Sequence, residues 1–150
     1  MRVMLDQVKE GCFIGQARES QLTIDRLPEQ GGSGEGFRPT ELLLLALGSC
    51  MMGTLWTFAE NQKIPVQGIH LELTSEELPH PERVGRIEVR MEVEGDILPK
   101  DRERLMRVAQ HCKIHNTLKR PPEISASWVG PTSENLGTTT GYAAKGGQDG

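Results

Sequence analysis

Apolar and polar positions change rhythm several times along this chain. Val3 to Val8, Cys12 to Ala17 and Leu22 to Asp25 are brief apolar-rich runs, parted by Gly11 and by Glu19-Ser20. They predict a small N-terminal sheet, although strict alternation is weak. Gly31 to Gly36 reads as a flexible connector. Pro39 then opens the strongest helix, with Glu41 complementing the positive helix end. Leucine fills almost every position from Leu42 to Leu47. A helix that is apolar nearly all round is expected to be buried on several sides. It runs to about Asn61, with Pro65 just beyond.

Two alternating strands follow. Ile69, Leu71 and Leu73 alternate with His70, Glu72 and Thr74, and Ile87, Val89, Met91 and Val93 with Glu88, Arg90, Glu92 and Glu94. Each has one wet and one buried face, and Pro79, His80 and Pro81 between them predict a long hairpin. Pro99 and Asp101 start a second helix, whose stripe is Leu105, Val108, Ala109 and Cys112. A short third helix spans about Ile114 to Leu118, stopped by Pro121-Pro122, and Ile124 to Val129 reads as a closing strand. From Pro131 the chain is rich in Gly, Thr and Ser and reads as a disordered tail. The order of elements gives an α+β architecture in a single domain, residues 1–130, followed by the tail, residues 131–150. So apolar a central helix is hard for a short chain to cover, which points to a homodimer.

Composition narrows the function classes. The 150 residues carry 17 basic and 21 acidic side chains, a net charge of −4. Nucleic-acid binding needs a basic footprint, so that class is set aside. Leu42 to Ala59 contains no charged residue and reaches the lower limit of a membrane span, about 18 residues. Gly48, Ser49, Gly53, Thr54 and Thr57 interrupt it, and a core helix is the better reading. Three cysteines do not make a disulfide scaffold, and Met1 to Asp6 has no apolar leader run. A cytoplasmic address is expected, where a thiol is either an inert core residue or a working redox group.

Cys50 lies mid-helix beside Gly48 and Ser49, small residues that let another element approach. Cys112 ends the stripe of the second helix, within His111-Cys112-Lys113-Ile114-His115. Two such cysteines could meet in the core and cycle between dithiol and disulfide. On spacing alone, two inert buried thiols are the commoner case. His111, Cys112 and His115 offer at most three metal ligands, and His70 and His80 stand elsewhere, so no metal is expected. His115, three residues after Cys112, could instead support a thiolate. The glycine loop lacks a Gly-Lys-Ser/Thr ending and is not a phosphate cradle. Met51 and Met52 could line an apolar pocket, or simply pack.

Pro39-Thr40-Glu41-Leu42-Leu43-Leu44-Leu45-Ala46-Leu47-Gly48-Ser49-Cys50 resembles the central-helix signature of the OsmC/Ohr family, the osmotically inducible and organic hydroperoxide resistance proteins. His80-Pro81, Arg86-Ile87-Glu88-Val89 and Gly95 look like that family's hairpin, and Cys112-Lys113-Ile114-His115-Asn116-Thr117-Leu118 like its second cysteine motif. The resemblance covers most of residues 1–130. It implies an OsmC-like fold in an intertwined homodimer, with active sites at the interface. It also implies thiol-dependent reduction of organic hydroperoxides, with Cys50 attacking and Cys112 resolving. A dithiol such as a protein-bound dihydrolipoyl group would re-reduce the pair, and neither a metal nor an organic cofactor is needed. The chain departs from the hydroperoxide reductases by carrying Thr40 directly after the proline, with Glu41 next. In a regular helix Glu41 lies about 13 Å along the axis from Cys50, on the opposite face. An arginine of the N-terminal hairpin that supports the thiolate in those enzymes has no clear counterpart; Arg18 and Arg38 are the candidates, and Gly11-Cys12 falls near its place. The pattern looks more like that of the general OsmC-like branch. Cys12 is a third redox partner or a core residue. The alternative function is a non-enzymatic dimer that binds a small apolar ligand or a partner and keeps its cysteines inert.

Overall fold

The computed structural model describes residues 1–130; the predicted tail lies outside them. The N-terminal runs form an antiparallel three-stranded sheet, β1 (Met4–Lys9), β2 (Cys12–Ala17) and β3 (Ser20–Asp25), in the order β1-β2-β3. Gly11 and the Arg18-Glu19 turn join the strands where the breaks in the pattern place them.

The glycine segment is not the loose connector its composition suggests. Phe37 donates its amide to the Thr23 carbonyl at 3.0 Å and accepts from Asp25 at 3.1 Å, so the chain returns alongside β3. A Cβ on Gly32 would sit 2.0 Å from the Arg26 carbonyl oxygen, a distance no side chain tolerates. Glycine is required there by close backbone approach rather than by flexibility.

The remaining elements form the body of the molecule. They are α1 (Pro39–Gln62), the antiparallel hairpin β4 (Val66–Pro79) and β5 (Glu82–Gly95), α2 (Pro99–Ala109) and α3 (Lys113–Lys119). Pro39 takes the first turn of α1, and Glu41 accepts the Arg38 amide at 2.9 Å while pairing with its guanidinium at 3.0 Å. The expected acidic complement of the helix start is thus present, in capping form.

Helix α1 packs on β4, α2 and α3 through Leu47, Met51, Leu55 and Ala59, a stripe recurring every four residues. A Cβ on Gly48 would lie 2.9 Å from Leu73 Cδ1, so the missing side chain is what admits β4. Burying Leu55 completely stabilises the fold by about 1.5–3 kcal/mol. The expectation of burial on several sides is corrected here. Ser49, Gly53, Trp56 and Thr57 are exposed, and Leu45 retains 51% of its accessible surface. Leucine at nearly every position removed the usual polar face, so the sequence pattern could not show which stripe is covered. α1 is long and apolar enough to cross a membrane, yet that one stripe is committed to the core.

The closing strand is a second correction. Among the described residues, 121–130 pair with no strand, and Ile124, Trp128 and Val129 are 88%, 95% and 75% exposed. Strand-like residues do not make a strand without a partner edge. With that exception the α+β architecture is as expected, two small sheets and three helices.

Candidate active site

Cys50 is carried by α1, between the buried positions Leu47 and Met51, and is itself half-buried. Cys112 is not in α2. That helix ends at Ala109, and a tight junction follows in which the His111 amide donates to Val108 and the Cys112 amide to Ala109, at 3.0 and 3.4 Å. Asn116 secures the junction from below, its side-chain amide donating to the His111 carbonyl at 3.1 Å. The stripe Leu105, Ala109, Cys112 is nevertheless real, since all three are at most 1% exposed. The helical pattern outlasts the helix because a compact turn keeps Cys112 facing the same core.

Cys112 is the N-cap of α3, and its sulfur accepts the His115 amide at 3.4 Å. The neighbouring amide of Ile114 donates to Cys50 Sγ at 3.5 Å. Successive amides of one helical turn therefore serve both sulfurs. The two sulfurs are therefore neighbours across the first turn of α3. Cysteines 62 positions apart in sequence are thus brought together by the docking of α3 against α1.

The environments of the two thiols differ. Burial pushes the Cys112 thiol above its ordinary value of 9.0, against the lowering effect of the His115 amide. Neighbouring Cys50 also pushes it up, while the Ile114 amide opposes. Cys50 borders an open groove of about 600 Å³ along α1, lined by Ser49, Gly53, Thr54, Thr57 and Phe58. Cys50 is thus a half-buried residue at a groove, whereas Cys112 is enclosed in the core.

The other candidate residues go elsewhere. Glu41 and Arg38 pair with each other at the start of α1, and this holds the Glu41 carboxyl below its ordinary 4.5, chiefly through the Arg38 amide. Arg18 sits exposed in the β2–β3 turn with φ 56°. Among the described residues, neither sulfur is hydrogen-bonded by a cationic side chain. Cys12 is buried in the N-terminal sheet, opposite Asp25, outside the cluster that encloses Cys112. His115 serves Cys112 through its main-chain amide. The contribution of Ile114 has no sequence signal, since any residue supplies an N–H. Met51 packs in the core and also floors a separate cavity, which neither cysteine of the pair lines. Among the described residues, no three His, Cys, Asp or Glu side chains converge to hold a metal.

Residues 32–127 match the family model for OsmC-like proteins. None of the curated proteins matches the sequence. Several solved structures share the fold. An OsmC-like protein from Mycoplasma pneumoniae is 20% identical, with a TM-score of 0.71 over 80% of this chain and 87% of its own. A hypothetical protein from Aquifex aeolicus is 21% identical, with a TM-score of 0.69 and the same coverage. A Legionella pneumophila protein, described as an organic hydroperoxide resistance protein and predicted redox protein, is 18% identical. Its TM-score is 0.61 over 79% of this chain and 88% of its own.

Proposed function

The chain belongs to the OsmC-like family, and from that premise we propose that it is a thiol peroxidase, reducing organic hydroperoxides through a Cys50/Cys112 dithiol–disulfide cycle. The observation that carries this reading is the pair itself: two thiols that accept from adjacent amides of one helical turn, one on a residue beside an open groove and one buried in the core. The hydroperoxide-resistance description of the Legionella pneumophila relative points the same way.

In the first step the Cys50 thiolate attacks the terminal oxygen of the hydroperoxide. The O–O bond breaks, Cys50 becomes a sulfenic acid, and the alkoxide leaves and takes a proton to become the alcohol. The sulfur of Cys112 then attacks Cys50 Sγ. The S–S bond forms and the sulfenic oxygen leaves as water, taking the Cys112 proton. A dithiol reductant restores both thiols by two exchanges and is itself oxidised to a disulfide. The Ile114 and His115 amides donate to the two sulfurs and hold them in place for these steps. In a reducing cytoplasm the resting pair would be the dithiol.

The working form in this proposal is a homodimer. The uncovered face of α1, the exposed strand β1 and the unpaired segment 121–130 support it.

The test is one equivalent of cumene hydroperoxide added to the reduced protein, followed by intact mass and peptide mapping. The expected product has lost two hydrogens and carries a Cys50–Cys112 bridge. Cys112→Ser should stop at a sulfenic acid on Cys50, and Cys50→Ser should leave the peroxide unconsumed. An unchanged mass for the parent protein, or undiminished turnover by Cys50→Ser, refutes the proposal.

A further inference from the structure

A cavity of about 920 Å³ lies between β5, α1 and the α2–α3 pair, and neither cysteine of the pair lines it. Its volume is in the range of small-molecule sites, about 300–1,000 Å³. Its floor and one wall are apolar, from Met51 of α1, Ile87, Val89 and Met91 of β5, and Met106 of α2. Unbranched methionine side chains adapt to the shape of a flexible guest. The cavity is also lined by Lys119 and Arg120, at the C-terminal end of α3, and by His111 and His115.

A second hollow of about 410 Å³ shares Ile87, Val89, His115 and Lys119 with the first. It continues the apolar path toward Leu43, Leu47 and Leu118. Among the described residues, no Asp or Glu lines either hollow. The sign of the charge is therefore inverted locally in a chain whose net charge is −4. Among the described residues neither Lys119 nor Arg120 pairs with a carboxylate. Arg86, on the second hollow, differs in being engaged by Glu76 and Glu88.

We propose that this cavity binds a single-chain amphiphile with an anionic head, its chain on the Met51–Met91–Met106 surface and its head at Lys119 and Arg120. The two cations would attract an anionic head, and a small polar anion would leave the apolar wall uncovered. An anionic head on an acyl chain satisfies both. The site is independent of the thiol chemistry.

Titration calorimetry on the reduced full-length protein tests it with dodecanoate, dodecyl phosphate and dodecanol. At least one anionic probe is expected to bind one per chain, and dodecanol at least about tenfold more weakly. Whichever anion binds more tightly identifies the head as carboxylate or phosphate. The double substitution Lys119→Ala/Arg120→Ala, at exposed positions, should weaken the anionic probes about tenfold and leave dodecanol unchanged. Met106→Trp, at a position 42% exposed, should fill the cavity and weaken all three. Circular dichroism confirms that both variants are folded. The proposal is overturned if neither anion binds, if dodecanol binds as tightly, or if the double variant binds the anions unchanged. Absence of binding because a second copy fills the cavity counts equally against it.

Discussion

Leu55 in α1 is completely enclosed, whereas every residue of β1 is exposed, including Leu5 at 62% and Val8 at 52%. The two regions are held by different forces. The body around α1 has a contiguous apolar core that includes both Leu105 of α2 and Ile97 before it. The N-terminal sheet has strand ladders and a buried carboxylate. Asp25, 2% exposed, accepts from the amides of Arg26 and Ser33 at 2.8 and 3.0 Å and from the Ser33 hydroxyl. The core specifies its own packing. The sheet specifies only its register and the return of the 26–37 segment, and leaves its apolar side chains for another surface. Antiparallel hairpins with so little buried area are marginal by themselves.

The sharpest way to break this comparison is to remove core volume. Leu55→Ala should destabilise the body by about 3 kcal/mol, read as the shift of a urea unfolding curve. A loss under about 1 kcal/mol would mean that α1 is not the centre of the core. Gly48→Ala should cost about 1–2 kcal/mol, because the new methyl presses on Leu73. The Leu73 side chain can shift, so this loss is expected to be the smaller of the two.

The sheet should answer to polar changes. Asp25→Asn should speed hydrogen exchange at the Ser33 and Phe37 amides roughly tenfold while the amides of α1 stay protected. Acid should do the same. The Ser33 hydroxyl, more than any other contact, holds the Asp25 carboxyl below its ordinary 3.8; burial opposes this, and the Ser33, Arg26 and Glu35 amides add to it. With a folded value below the unfolded one, the unfolded chain binds more protons between them, so the stabilisation is complete above about pH 3.8 and is lost as pH falls through the folded value. A Ser33 amide resonance that moves only below that pH is the expected observation.

The smallest effect is expected at β1. Leu5→Ala should change the stability of dilute protein by under about 0.5 kcal/mol and cost more as concentration rises and two copies meet. A larger, concentration-independent loss would show that β1 already packs on its own chain.

The difference between the regions also explains what the sequence could reveal. The β4–β5 hairpin was legible because Ile69, Leu71 and Leu73 alternate cleanly, and the observed register pairs Leu71 with Met91 and Leu73 with Val89. α1 was legible in extent but not in orientation. The Asp25–Ser33 contact was hidden because glycines around Ser33 read as slack, when they are the condition for tight backbone packing. Cys50 and Cys112 could be named as candidates from their motifs, and the docked helices bring them together. The amides that serve them carry no side-chain signature. Ile124 to Val129 shows the opposite failure: residues with the local marks of a strand that pair with no edge among the described residues.

In the proposed cycle Cys112 would be a reacting group as well as a structural one, since its sulfur caps α3. Oxidation to the proposed disulfide would exchange a thiol acceptor for a weakly accepting bridged sulfur at the same point of the backbone. The first turn of α3 would then register the oxidation state of the pair. The nitrogen and proton shifts of Ile114 and His115 become a built-in redox gauge, readable in the intact protein without label, dye or added substrate.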